Sequence, residues 1–322
     1  YCYIYHKSYM QMIEFIKKLN QTNFLEFILT AFSDDPAKQP LLFFLLLFIY
    51  LTTMVGNLLI ILTCISNVCF HSPMYYFLSN LSLIDLCLSS TTVPKMLVDI
   101  QTGNTTISLN NCVIQMYLFI CFSGMETLLL PIMSYDRFVA ICLPLSYLSI
   151  MTPKFCACLV ASSWIFAILS AQIHTILFLQ LSFCEDSKIP QFFCDIGPLL
   201  KLSCSDTHIN ELFIFIEGGL VVVVSLICIL VSYILIGYSI VRMPSTIGKF
   251  KAFSTCSSHI CVVLLFFGTI IGVYLCPSNS HIAERDKAAA IMYTVITPLL
   301  NPFIYSLRNS HLTGSLRKTI QK

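Results

Sequence analysis

Seven stretches of this chain are apolar enough and long enough to cross a bilayer, at about residues 41–64, 75–97, 113–140, 155–179, 211–240, 252–276 and 288–307. A spanning helix needs about 20 mostly apolar residues, because its backbone groups must bond one another where no water is present. Polar or Pro-containing clusters separate the stretches, as at residues 34–40, 67–73 and 277–287. The pattern predicts an all-α membrane protein, a seven-transmembrane helix bundle. Residues 1–39 form an N-terminal segment, residues 40–308 the bundle, and residues 309–322 a tail that reads as a short amphipathic helix. No internal repeat is visible, which argues against the duplicated architecture of many transporters.

An odd number of spans puts the termini on opposite sides. With the N-terminus outside, the inner side carries Arg137, Lys154, Arg242, Lys249, Lys251, Arg308, Arg317, Lys318 and Lys322. Near the spans, the outer side then carries Lys38, Lys95, Lys188, Lys201, Arg285 and Lys287. The excess inside agrees with the positive-inside rule. Two glycosylation sequons, at Asn20 and Asn104, fall outside in this orientation; a third at Asn80 falls within the second span. Residues 1–39 lack an apolar core followed by a small-residue cleavage site. The expected start of translation is Met10 or Met12, with residues 1–9 an upstream extension.

Composition supports a membrane protein: 57% of the 322 residues are hydrophobic and only 11% are charged. Soluble domains carry about 25% charged residues. A net charge of +2 leaves no footprint for nucleic acid. The lipid bilayer is the first partner the chain implies.

The chemistry-bearing residues are few. Most of the 16 cysteines lie in spans and read as small buried hydrophobes. Cys112 opens the third span on the outer side, and Cys184, Cys194 and Cys204 are evenly spaced in the outer loop 180–210. Disulfides are favoured there, with three connectivities open. The ten-residue spacings do not suit a zinc site. Asn57, Asp85, Glu126 and Asn301 are polar groups inside spans. They read either as a hydrogen-bonded network that holds helices together or as a pocket for a cation. Two close carboxylates share a proton or bind a cation rather than both ionise, so a sodium ion near Asp85 and Glu126 is the one cofactor candidate. Glu217, in the outer half of the fifth span, has no evident role. No HExxH, GxSxG or GxGxxG run occurs, and no enzyme activity is expected.

Residues 133–142, MSYDRFVAIC, set Asp136 and Arg137 side by side at the end of a long apolar segment. The run resembles the third-helix signature of the olfactory receptors, close to MAYDRYVAIC, and departs from it at Ser134 and Phe138. Further runs resemble the same family: PMYYFLSNLSLIDLCLSSTTVPKML from Pro73, KAFSTCSSHI from Lys251 and PLLNPFIYSLRN from Pro298. Together they cover nearly all of residues 20–322. His174, His259 and the IEGG run holding Glu217 also match family positions. Departures are Pro131 within the third span, Phe250, Phe267, Ser310 and His311.

The resemblance implies a rhodopsin-like G-protein-coupled receptor of the plasma membrane. It implies the disulfides Cys112–Cys194 and Cys184–Cys204. It gives Tyr135, Asp136, Arg137, Lys251, Asn301, Pro302 and Tyr305 roles in switching and G-protein coupling, and puts Asn57, Asp85, Glu126 and Asn301 in a central polar network. The ligand pocket is expected between the outer halves of spans three, five, six and seven. Its candidates are Met116, Phe119, Ile120, Ser123, Ile270, Gly272, Tyr274, Ile291 and Thr294. No charged residue is in that set, so a small, neutral, volatile ligand is expected. The implied partners are that odorant and a heterotrimeric G protein of the stimulatory olfactory type, with cyclic AMP as output. The rival readings are a receptor-like chain that folds or signals poorly, motivated by Pro131 and the N-terminus, and a transporter or channel, motivated by Asp85 and Glu126.

Overall fold

The computed structural model describes residues 26–30, 37–66, 72–183, 188–275 and 282–308. Seven of its helices are long and apolar enough to cross a membrane. The first three spans are α1 (Gln39–Ser66), α2 (Pro73–Thr102) and α3 (Leu109–Cys142). A short inner helix, α4 (Tyr147–Ile150), leads to the fourth span, α5 (Pro153–Leu179). After an outer helix, α6 (Ile196–Leu200), the fifth span joins α7 (His208–Phe213) to α8 (Gly219–Arg242) through a π segment, Ile214–Gly218. The sixth span is α9 (Thr246–Leu275). The seventh joins α10 (Ile282–Ile291) to α11 (Thr297–Arg308) through a second π segment, Met292–Ile296. The expected C-terminal amphipathic helix lies outside the described residues.

Local chemistry explains several boundaries. Gly103 closes the second span in the left-handed conformation, at φ 69°, with its N–H bonded to Asp99 O. That conformation favours glycine. Ser108 caps the third span by accepting from Asn111 N, and Thr152 caps the fourth by accepting from Phe155 N. Pro153 follows at the first helical position, where its missing N–H has no intrahelical bond to lose. The third span runs through Pro131 as one helix, so this departure does not break it. Ser134 Oγ donates to Pro131 O at 2.7 Å, which links two of the departures from the family pattern.

The sequence pattern showed no strands, but three short ones close the outer side. They are β1 (Glu26–Leu29), β2 (Thr106–Ser108) and β3 (Lys188–Ile189), in the order β2-β1-β3. β1 runs antiparallel to β2 and parallel to β3. Phe27 and Leu29 point into an outer apolar cluster with Ile107, Met116 and Phe178. A second cluster fills the inner half of the bundle, around Phe77, Leu81, Met125, Leu129, Val262 and Phe266. Half of the third span's most apolar window is buried, against 22% for the first span. The second and seventh spans are buried to the same extent, and the third packs against spans two, four, five and six.

Candidate functional site: a polar axis through the bundle

At the inner end, Asp136 is almost fully buried and both of its oxygens are engaged. Arg137 Nε donates to Oδ2 at 3.1 Å, and Arg137 Nη2 also pairs with that oxygen. Tyr147 Oη, from α4 in the loop after the third span, donates to Oδ1 at 2.7 Å. Burial, and then the Asp136 carboxylate, push the Tyr147 phenol up from its ordinary value. Tyr147 therefore keeps its proton at neutral pH and remains a donor. Around this knot the spans are tied crosswise. Tyr233 Oη and His259 Nδ1 lie 2.6 Å apart, joining spans five and six. Ser258 Oγ donates to Ile304 O at 3.0 Å, joining spans six and seven. Tyr305 is buried nearby, and its hydroxyl has no hydrogen-bond partner among the described residues. Tyr135 points away from the knot, 37% exposed. Lys251 continues the sixth helix; its side chain lies outside the described part of the molecule.

Midway through the bundle, Asp85 and Glu126 are both completely buried. Asn301 Nδ2 donates to both Asp85 oxygens, at 3.1 and 2.9 Å. Asn57 Nδ2 bridges Thr53 O at 3.1 Å and Pro298 O at 3.0 Å, tying span one to span seven. Neither Glu126 oxygen has a hydrogen-bond partner among the described residues, nor do Asn57 Oδ1 and Asn301 Oδ1. All four are acceptors. A buried acceptor without a donor costs about 1–3 kcal/mol, more if charged. The arrangement therefore calls for a proton, water or a cation.

At the outer end, the Cys112–Cys194 disulfide pins the loop to the top of the third span. Cys204 is disulfide-bonded too; its expected partner Cys184 lies outside the described residues, as does Asn20. Gln115 reinforces the staple: its Nε2 donates to Thr91 O and its Oε1 accepts from Cys194 N, both at 2.9 Å. The pinned loop delivers Phe193, whose ring centre is 4.9 Å from that of Phe119. Tyr293 from span seven lies 5.5 Å from the same Phe119 ring. Of the pocket candidates, Met116 and Thr294 are fully buried, and Phe119 nearly so. Thr294 Oγ1 donates to Ala290 O, and Ser123 Oγ to Phe119 O. Ile120 and Ile270 are partly buried against the inner cluster, and Ile291 against the cluster holding Phe119. Gly272 and Tyr274 continue the sixth helix, with side chains outside the described part. Asn104 is exposed, and its Oδ1 accepts from Thr106 N at 3.0 Å.

The olfactory receptor family model matches residues 46–322. The chain belongs to the olfactory receptor family. It is 53% identical to olfactory receptor 1F1 of Homo sapiens over 301 residues, covering 94% of this chain and 96% of that protein. It is 51% identical to olfactory receptor 1M1 of Mus musculus over 303 residues, covering 94% and 97%. The chain is thus a multi-pass receptor of the plasma membrane, and the family consists of receptors rather than enzymes.

Sequence reasoning missed several of this receptor's residues. Tyr147, Gln115, Phe193 and Tyr293 all join the axis or its outer cap. A tyrosine or glutamine within a few residues of the recognised motifs was the only available signal. Their roles depend on which loop folds back over which helix end.

Proposed function

We propose that this receptor binds a small, neutral odorant beneath the pinned outer loop and activates a stimulatory G protein of the olfactory type, raising cyclic AMP. The observation that carries the reading is the buried Asp136–Arg137 pair at the inner end of the third span. A ligand favours the active packing only by binding it better than the resting one. Here the resting state has a defined lock, because Arg137 is held by Asp136, and Asp136 is held by Tyr147. Leu145 and Leu148 on the same inner loop stand fully or largely exposed. They offer an apolar contact to a soluble partner that approaches from that side.

Aromatic and aliphatic side chains dominate the outer end, where Phe119, Phe193 and Tyr293 meet. Such a lining selects apolar ligands, with few polar groups to orient them. In the middle, the orphaned oxygens of Glu126, Asn57 and Asn301, beside Asp85, suit a hard cation that takes oxygen ligands. A sodium ion held there would offset one of the two negative charges of the carboxylate pair and stabilise the resting packing. The test is an odorant panel read by cyclic AMP in cells that display the receptor, with Arg137→Ala as control. Responses in the parent that vanish in a surface-expressed Arg137→Ala receptor support the reading. A parent that reaches the surface and answers no odorant, or signals without cyclic AMP, counts against it.

A further inference from the structure

One polar cluster lies off the axis, between the outer halves of the fourth and fifth spans. Glu217 is in the π segment Ile214–Gly218. Its two oxygens are held separately. Ser170 Oγ donates to Oε1 at 2.9 Å, and His174 Nε2 lies 3.3 Å from Oε2. Phe213, just before the π segment, sets its ring edge-on to the His174 imidazole at 4.9 Å. His174 is buried, and the Glu217 side chain is 21% exposed. A carboxylate in an apolar span is costly, and such residues mark function by default. Both of the residues that hold it belong to the fourth span.

Ile214 opens the same π segment and packs against the outer apolar cluster that contains Met116. Ile120 packs against that cluster as well. A π turn is a local departure from the α-helical ladder, seen mostly as single turns at functional sites. Its register is therefore weakly fixed by the helix itself and needs an external tie. The bonds from Ser170 and His174 are such a tie.

We propose that Ser170, His174 and Glu217 form a clamp that sets how far Ile214 reaches toward the ligand pocket, making Glu217 a specificity-determining positioning residue that touches no ligand. The proposal rests on the odorant-receptor reading above. It accounts for a charged residue near a pocket that suits neutral ligands: the carboxylate is fastened to span four while Ile214 supplies the apolar wall. Releasing the clamp lets the π segment relax. The volume beside Met116 then changes, and so does the preferred ligand length.

The test uses the full chain and two readouts. Hydrogen–deuterium exchange of residues 210–219 in solubilised receptor reports the clamp without any ligand. Cyclic AMP dose–response curves for straight-chain alcohols and aldehydes of increasing length report specificity. Glu217→Ala should raise exchange in that turn by about tenfold, the scale of one charge-assisted hydrogen bond, and shift the best chain length by about one carbon or more. Ser170→Ala removes one bond only and should shift both readouts in the same direction by less, which covers the case in which Glu217→Ala folds poorly. Glu217→Gln keeps an acceptor for Ser170 and should fall between. Unchanged exchange in Glu217→Ala and Ser170→Ala overturns the clamp, whatever the odorants do. Raised exchange with an unchanged length preference overturns the specificity role. A parent silent to the whole series, with exchange raised in Glu217→Ala, supports the clamp and counts against the ligand reading instead.

Discussion

Tyr147 Oη donates a 2.7 Å hydrogen bond to Asp136 Oδ1, so the inner loop is fastened to the same carboxylate that restrains Arg137. The bond has a functional consequence. If the Asp136–Arg137 pair is the resting lock, Tyr147 orients the acid half of it. Hydrogen bonds to charged groups contribute about 1.5–3 kcal/mol. Tyr147→Phe keeps the ring and removes only the donor, so basal cyclic AMP per surface receptor should rise by roughly tenfold. Unchanged basal activity would show that the loop bond is incidental to the lock.

The charge on Arg137 is not its only asset. Its guanidinium reaches the Asp136 carboxylate through both Nε and Nη2, a fork that a lysine ammonium lacks. A helix end anchored only by snorkelling would tolerate Lys. Arg137→Lys should therefore reach the surface normally yet lose most of its odorant-evoked cyclic AMP, by about tenfold or more. Full activity per surface receptor in Arg137→Lys would leave the anchor role standing and remove the switch.

The mid-bundle acceptors make a prediction about sodium. If a sodium ion bound there stabilises the resting packing as proposed, replacing external sodium with a large organic cation should lower the odorant EC50 of the parent a few-fold. Asp85→Asn and Glu126→Gln should each abolish that dependence while surface staining persists. Asp85→Asn should also weaken the tie to Asn301, whose Nδ2 now bridges both carboxylate oxygens. If sodium dependence survives in both variants, Asp85, Glu126, Asn57 and Asn301 are a structural network and hold no ion.

Much of this arrangement was legible in the chain. Seven apolar runs are readable because a bilayer leaves the backbone no alternative to helices of that length. Of the four polar side chains expected to bond one another, Asp85 and Asn301 do, whereas Asn57 bonds backbone oxygens and Glu126 has no hydrogen-bond partner among the described residues. The outer sheet was not readable. β1 has only four residues, and its register comes from Ser108, Ile107 and Thr106, far along the chain. The π segments were not readable either, since one extra residue in a turn leaves the apolar composition unchanged. Tyr147 lies only eleven positions from Asp136, yet their contact requires α4 to turn back under the third span. Loop geometry of that kind is set by tertiary packing and leaves no periodicity in the sequence.

Gly56 offers the last prediction, because it is where span one meets Pro302 of span seven. A Cβ built there would lie 3.1 Å from Pro302 Cβ and 3.2 Å from Pro302 Cγ. The proline ring is stiff, so relief must come from moving the helices apart. The next residue, Asn57, donates to Pro298 O at 3.0 Å, and a shift of a few tenths of an ångström lengthens that bond. Overpacking of this kind costs about 1–3 kcal/mol. Gly56→Ala should lower the melting temperature of solubilised receptor by several degrees and reduce its surface level. The control is Gly219→Ala, where the added methyl meets nothing within 4 Å. Alanine is the better helix former, so that variant should be neutral or slightly stabilising. Equal melting temperatures for Gly56→Ala and the parent would mean that the two spans approach less closely than the Gly56–Pro302 contact requires.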